Sequence, residues 1–155
     1  MREQSTHRNA INELIPKRLY QRGQILTWQR DVKTRMFKDH NIRVVLNLWP
    51  KLDHDLEDMN LLGYYYVPIN RSADINDPHV HIAANAIARI LKHEEEAAAL
   101  ILCEAGKTRS VFVATLIAQK LWSCKRSEAF ARIQKLIPNH SLKSFMTDYL
   151  CNDEL

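Results

Sequence analysis

The chain has 155 residues, 46% of them apolar and 26% charged, which fits one soluble globular domain with a single hydrophobic core. Its formal net charge of +4 permits an acidic substrate such as a phosphate ester, and equally permits weak attraction to nucleic acid or a membrane surface, so charge selects no partner. No apolar run approaches the ~20 residues that cross a bilayer, and the polar start Met1-Arg2-Glu3-Gln4-Ser5-Thr6-His7-Arg8 lacks the apolar segment of a signal peptide.

Three cysteines, Cys103, Cys124 and Cys151, form no disulfide framework, so a reducing compartment and a cytoplasmic location are expected. With three glycines, five prolines and no repeat or linker, residues 11–155 read as one domain behind a polar tail over 1–10. Leu14 to Gly23 reads as a short edge strand running into a turn, where Pro16 is tolerated. Asp31 can cap a helix that carries Val32, Met36 and Phe37 on one face and ends before Asn41. Arg43 to Leu48 is a β-branched apolar run, as in a buried parallel strand. A short acidic helix is expected over Leu52 to Leu62, stopped by Gly63. Tyr64 to Ile69 then reads as an aromatic strand closed by Pro68.

Asp77 before Pro78 is a strong helix start, and Val80, Ala83, Ile87, Ile90 and Leu91 keep helical spacing behind it. Leu100-Ile101-Leu102-Cys103 is the next buried strand. After a short loop, Val111 to Trp122 is apolar nearly all round, as a helix at the heart of a domain should be. A helix from Ser127 should bury Phe130, Ile133 and Leu136. A last one from Ser141 should bury Leu142, Phe145, Met146 and Tyr149. Alternating strands and helices imply a single-domain α/β fold, a largely parallel central sheet flanked by helices. Ligands in such sheets bind at the carboxyl ends of the strands, where Cys103 falls.

The loop Glu104-Ala105-Gly106-Lys107-Thr108 joins that strand to a helix beginning near Arg109 and Ser110. A loop of this length can turn its backbone N–H groups inward on one anion, with the helix dipole behind it. Arg109 offers a planar fork that fits two phosphate oxygens. The same field favours the thiolate of a cysteine at the floor of the loop, a nucleophile aimed at phosphorus.

Cys103 to Arg109 has the Cys-x5-Arg spacing of the protein tyrosine phosphatase superfamily, and Ala105-Gly106-Lys107-Thr108-Arg109-Ser110 resembles the small dual-specificity phosphatases. Leu19-Tyr20-x-x-Gly23-x-Ile25, Val44-Val45-Leu46-Asn47-Leu48, Tyr66-Val67-Pro68-Ile69 and Ile137-Pro138-Asn139 with Phe145 and Leu150 extend the resemblance over roughly residues 11 to 150. It implies that 11–155 is a phosphatase domain of dual-specificity type, with no cofactor and no metal. Cys103 would then be the nucleophile and Arg109 the binder of phosphate and transition state. The backbone from Glu104 through Ala105, Gly106, Lys107 and Thr108 to Arg109 would cradle the anion, and Ser110 would hydrogen-bond the sulfur and help it leave. The implied partner is a phosphorylated protein, with no stable nucleic-acid partner and a monomer as the expected state.

The resemblance also requires a general acid on the loop after Ile69. Many relatives carry an aspartate three residues after the proline, where this chain has Arg71. Asp74 and Asp77 remain. Asp77 has a structural task as the cap before Pro78, and Asp74 lies four residues before Pro78, like the Asp-x-x-x-Pro of several family branches, so Asp74 is the expected acid. Two departures stand out. The residue before the nucleophile is Leu102 where the family usually has histidine, and Glu104 places a carboxylate at the rim, partly offset by Lys107. A lysine there resembles phosphoinositide-cleaving relatives, so a phosphoinositide, an inositol phosphate or an RNA 5′ phosphate is the alternative substrate, and a catalytically weak phosphate-binding module is the alternative function.

Other motifs lead nowhere. Ala105-Gly106-Lys107-Thr108 mimics the end of a nucleotide-binding P-loop, but Ile101 occupies the leading glycine position. His79 and His81 stand two apart on a helix and share no face for zinc. Asp53, His54, Asp55, Glu57 and Asp58 read as a solvated helix face rather than a metal site.

Overall fold

A computed structural model describes residues 11–154, so the tail expected over 1–10 lies outside the described residues. In chain order the elements are β1 (Asn12–Ile15), β2 (Leu19–Gly23), α1 (Arg30–His40), β3 (Ile42–Asn47), α2 (His54–Glu57), β4 (Gly63–Tyr66), a 3-10 turn (Ser72–Asp74), α3 (Pro78–His93), β5 (Ala98–Cys103), α4 (Arg109–Trp122), α5 (Arg126–Leu136) and α6 (Ser144–Cys151). The strands form one sheet in the order β1-β2-β5-β3-β4. Four of them run parallel, and β1 pairs antiparallel with β2. This is the expected α/β architecture.

Strand β5 is buried along its whole length because it lies at the centre and both faces of the sheet are covered. The two-residue period of a strand sends Ala99, Ile101 and Cys103 into one core and Ala98, Leu100 and Leu102 into the other. The larger core receives Val80, Ala83, Ala84, Ile87 and Leu91 from α3, and α4 is buried from Ser110 to Ala118. The smaller core takes Met36 and Phe37 from α1. No helix among the described residues is long and apolar enough to cross a membrane.

Several expectations are corrected. Leu14 to Gly23 is a hairpin, not one edge strand: Pro16 sits in the turn and Lys17 takes a left-handed φ of 61°, reversing the chain so that β2 can join β5. Helix α1 starts one residue before Asp31, with Gln29 at the cap position. Gly63 opens β4 rather than stopping the acidic helix expected over Leu52 to Leu62, and α2 is a single turn. Regular pairing of β4 stops at Tyr66, although Val67 and Ile69 still donate to the carbonyls of Asn47 and Leu48; Pro68, between them, has no N–H to give. Helix α6 begins at Ser144, three residues late, and Leu136 and Phe145 point outward at 49% and 44% exposure instead of packing.

The acidic stretch is not a purely solvated face. Lys33, 1% exposed, donates to both Asp53 oxygens at 3.1 and 2.9 Å, to Asp55 at 2.9 Å and to the Leu26 carbonyl at 3.2 Å. One buried ammonium thus joins α1 to the loops that leave β2 and β3. Asp55 is held below the usual carboxylate range chiefly by its hydrogen bond from Lys33. Removing one member of a buried ion pair leaves the other charge stranded. Lys33→Ala is therefore expected to lower unfolding free energy by about 3–5 kcal/mol in urea melts, with much of the loss recovered in Lys33→Met/Asp53→Leu. An unchanged midpoint in the single variant contradicts this account.

Candidate active site

Parallel pairing brings the ends of β2, β5 and β3 level, with Gly23 beside Cys103 and Asn47 beside Leu102. From this edge the chain leaves β5 as the loop Glu104 to Thr108 and enters α4 at Arg109. The loop presses directly on the backbone of β2. Gly106 has a φ of +72°, and a Cβ there would lie 2.3 Å from the Gly23 nitrogen and 2.6 Å from the Arg22 carbonyl carbon. A Cβ on Gly23 would meet the Glu104 oxygen at 2.9 Å. Only glycine on both sides permits this approach.

Four of the five loop carbonyls are spoken for. Glu104 O accepts from Gln24 N at 3.1 Å, Gly106 O from Gln21 Nε2, Lys107 O from Ser141 N at 2.8 Å, and Thr108 O from Phe112 N at 3.1 Å. The Thr108 hydroxyl also donates to Ser141 O at 3.2 Å. Gln21 in β2 and Gln24 just after it therefore hold one side of the loop, and the segment before α6 holds the other. Among the described residues no protein acceptor takes the amide hydrogens of Glu104, Ala105, Gly106, Lys107 or Thr108. Donors clustered at the N-terminus of a buried helix suit an anion.

Cys103 is 2% exposed, and its Sγ lies 3.1 Å from Ser110 Oγ, itself fully buried. The Arg109 side chain, 11% exposed, donates through Nη1 to the Ile69 carbonyl and through Nη2 to Glu104 Oε2 at 3.3 Å. Glu104, read as a rim residue, thus engages the guanidinium although its side chain is 67% exposed. Ala105 and Lys107 are exposed, Thr108 is half-buried and Gly106 is buried. Leu102 turns its side chain into the smaller core and only its carbonyl, accepting from Leu48 N at 2.8 Å, reaches toward β3.

Asp74 closes the 3-10 turn of the loop after β4, and its carboxylate meets Arg71 at 3.2 and 3.3 Å. That bond raises the Arg71 guanidinium above its ordinary value. Asp74 makes no hydrogen bond to the cysteine loop among the described residues, and the link between the two loops runs through Arg109 and Ile69. Asp77 caps α3, accepting from His79 N at 2.7 Å and His79 Nδ1 at 2.9 Å. The backbone bond from His79, then its ring, hold the Asp77 carboxyl below the usual range. A depressed carboxylate stabilises the fold above its unfolded pKa, and this contribution fades as pH falls through the folded value. His81 faces Asn76, so His79 and His81 have separate partners. All three cysteines are free.

Three residues were missed in the sequence. Gln21, with no exposed surface, touches both Gly106 and Ser110; its signal was a polar side chain within a buried strand. Asn47 accepts from Trp49 N at 3.0 Å and donates to Lys51 O at 3.0 Å, shaping the loop after β3. Ser141 gave no local signal.

No family model and no curated protein matches the sequence. Among solved structures, the fold is similar to that of the Cydia pomonella PTP-2 phosphatase, with a TM-score of 0.73 and 14% identity over 92% of this chain and 89% of that one. PTPMT1 aligns at a TM-score of 0.68 and 13% identity, covering 93% of both chains. Human DUSP28 aligns at 0.67 and 12%, covering 93% of this chain and 92% of that one. The expected dual-specificity phosphatase fold is the fold found.

Gly106→Ala is expected to cost about 1–3 kcal/mol of stability, because the new Cβ meets backbone in a left-handed conformation. Inorganic phosphate is expected to protect Cys103 from alkylation in the wild type and not in Gly106→Ala. Intact protection in a stable variant would show that the loop tolerates a side chain at this point.

Proposed function

We propose that this chain is a phosphatase of the dual-specificity type, hydrolysing phosphomonoesters through a phosphocysteine at Cys103. The observation that carries the reading is the buried Cys103 sulfur beside Ser110, at the floor of a loop with engaged carbonyls and open amides, with Arg109 at its rim. The likeness in fold to several phosphatases supports it.

In this reading the sulfur attacks phosphorus in line, forming the S–P bond as the ester P–O bond breaks. Loop amides and Arg109 stabilise the charge on the equatorial oxygens, and phosphate binding draws the guanidinium from Glu104. Asp74 gives a proton to the departing oxygen, then removes one from the water that cleaves the S–P bond. To do so it must leave Arg71. Phosphotyrosine of proteins is the substrate we favour, with phosphoserine and phosphothreonine in reach of a shallow site. The free state of all three cysteines supports a reducing compartment, which we take to be the cytoplasm. A non-protein phosphate is the second reading: Lys107 stands exposed on the loop, and a structurally similar protein, PTPMT1, has been crystallised with PI(5)P.

Wild type should hydrolyse a small aryl phosphate with a chelator present across about pH 5 to 8, and Cys103→Ser should have no turnover while still binding phosphate. Turnover by Cys103→Ser removes the nucleophile assignment. No turnover by wild type, with phosphate still protecting the thiol, means a binding module. For the acid, Asp74→Asn should cut kcat about 100-fold or more, whereas Asp77→Asn, which keeps a capping oxygen, should change it little. The reverse order moves the acid to Asp77.

A further inference from the structure

Two helical threonines in this protein bond the carbonyl one turn back. Thr115 donates to the carbonyl four residues back, Val111 O, at 2.8 Å, and Thr34 does the same to Arg30 O at 2.9 Å. For Ser110 that carbonyl is Gly106 O. Here it already accepts a hydrogen from Gln21 Nε2, and the same amide donates to Ser110 Oγ at 2.6 Å. A hydroxyl has one proton and two lone pairs. Ser110 makes no bond to Gly106 O: among the described residues its hydroxyl meets only Gln21 Nε2, which takes a lone pair, and the Cys103 sulfur at 3.1 Å, so once that sulfur is a thiolate it is the acceptor left for the Ser110 proton. Asn12 Nδ2 donates to Gln21 Oε1 at 2.9 Å, which fixes the amide with its two hydrogens toward the loop.

We propose that Gln21 is a positioning residue that turns the Ser110 hydroxyl proton onto the Cys103 sulfur. The inference rests on the reading of Cys103 as the nucleophile, but its effect is on the sulfur itself. A proton donated to sulfur stabilises the thiolate before attack. When water cleaves the S–P bond and the electron pair returns to sulfur, the same hydrogen bond receives it, and the proton stays on Ser110. Leu102, facing the other core, offers no polar group for this task. Strand β2 thus supplies a side chain that acts on the chemistry without touching substrate.

The test is the rate of Cys103 alkylation by iodoacetamide across pH, read by mass spectrometry at that cysteine in Gln21→Met, Ser110→Ala and the double variant. Each single change should slow alkylation about tenfold at pH 6.5 and move the profile to higher pH. The double variant should be no slower than Ser110→Ala, since Gln21 acts through that hydroxyl. A wild-type profile in Gln21→Met, or additive losses in the double variant, overturns the proposal; additivity would assign Gln21 to loop packing alone. Should Gln21→Met fail to fold, Asn12→Asp at the surface serves instead. Its carboxylate cannot donate to Gln21 and reverses the amide, so alkylation should slow in the wild-type background and not in Ser110→Ala. Slowing in both backgrounds, or in neither, also overturns the proposal. Aryl phosphate turnover is read separately, so a protein that hydrolyses nothing yet shows the Gln21 effect refutes the proposed function and leaves this inference standing.

Discussion

Where the backbones of Gly23 and Gly106 meet, two stretches of the chain pass with no side chain between them, and the seat of the loop on β2 depends on that approach. It lets the loop after β5 fold back over the end of β2, so that Gly106 O comes within reach of Gln21 and Glu104 O within reach of Gln24. With those carbonyls drawn toward β2, the loop amides are left without a protein acceptor. Two missing Cβ atoms thus help decide which polar groups of the loop stay available to a ligand.

The cradle is fastened from three directions. Gln21 and Gln24 hold it from the sheet, Ser141 from the segment before α6, and Ile69, at the start of the loop that bears Asp74, through the Arg109 guanidinium. Lys33 performs a related task at the next edge, tying the loops that leave β2 and β3 to one helix. The loop carrying Asp74 is fastened more lightly, by the surface pair with Arg71 and the cap at Asp77. For the proposed phosphatase this is a sensible division: an anion site must be preorganised, and an acid must reach a leaving group.

Much of this was legible in the sequence because local physics dominated there. A continuous apolar run ending in Cys103, with α4 apolar on all sides, could only be a central strand feeding a buried helix, and Asp77-Pro78 fixed the start of α3. The failures have a common cause, which is partners distant in the chain. The turn at Pro16 and Lys17 gave a weak signal, so the hairpin passed for one strand. Asp53 and Asp55 looked solvated because Lys33 lies about twenty residues away. Leu136 and Phe145 have the right spacing for burial, but nothing in spacing tells which helices find a neighbour. Gln21 was invisible as a site residue because its partners lie 85 and 89 positions along the chain.

Those separations bear on how the protein is made. The bonds that shape the loop come from residues 80 to 89 positions earlier and 33 or 34 positions later in the chain. Contacts of such long range form late, after the loop-closure entropy has been met by the rest of the fold. During synthesis Cys103 leaves the ribosome well before Ser141, and until the final third of the chain docks, its sulfur is an ordinary thiol with no cradle and no hydroxyl partner. If Cys103 is the nucleophile we propose, a nascent or misfolded copy lacks the loop and the hydroxyl neighbour on which that chemistry would depend, and only the finished tertiary structure supplies them.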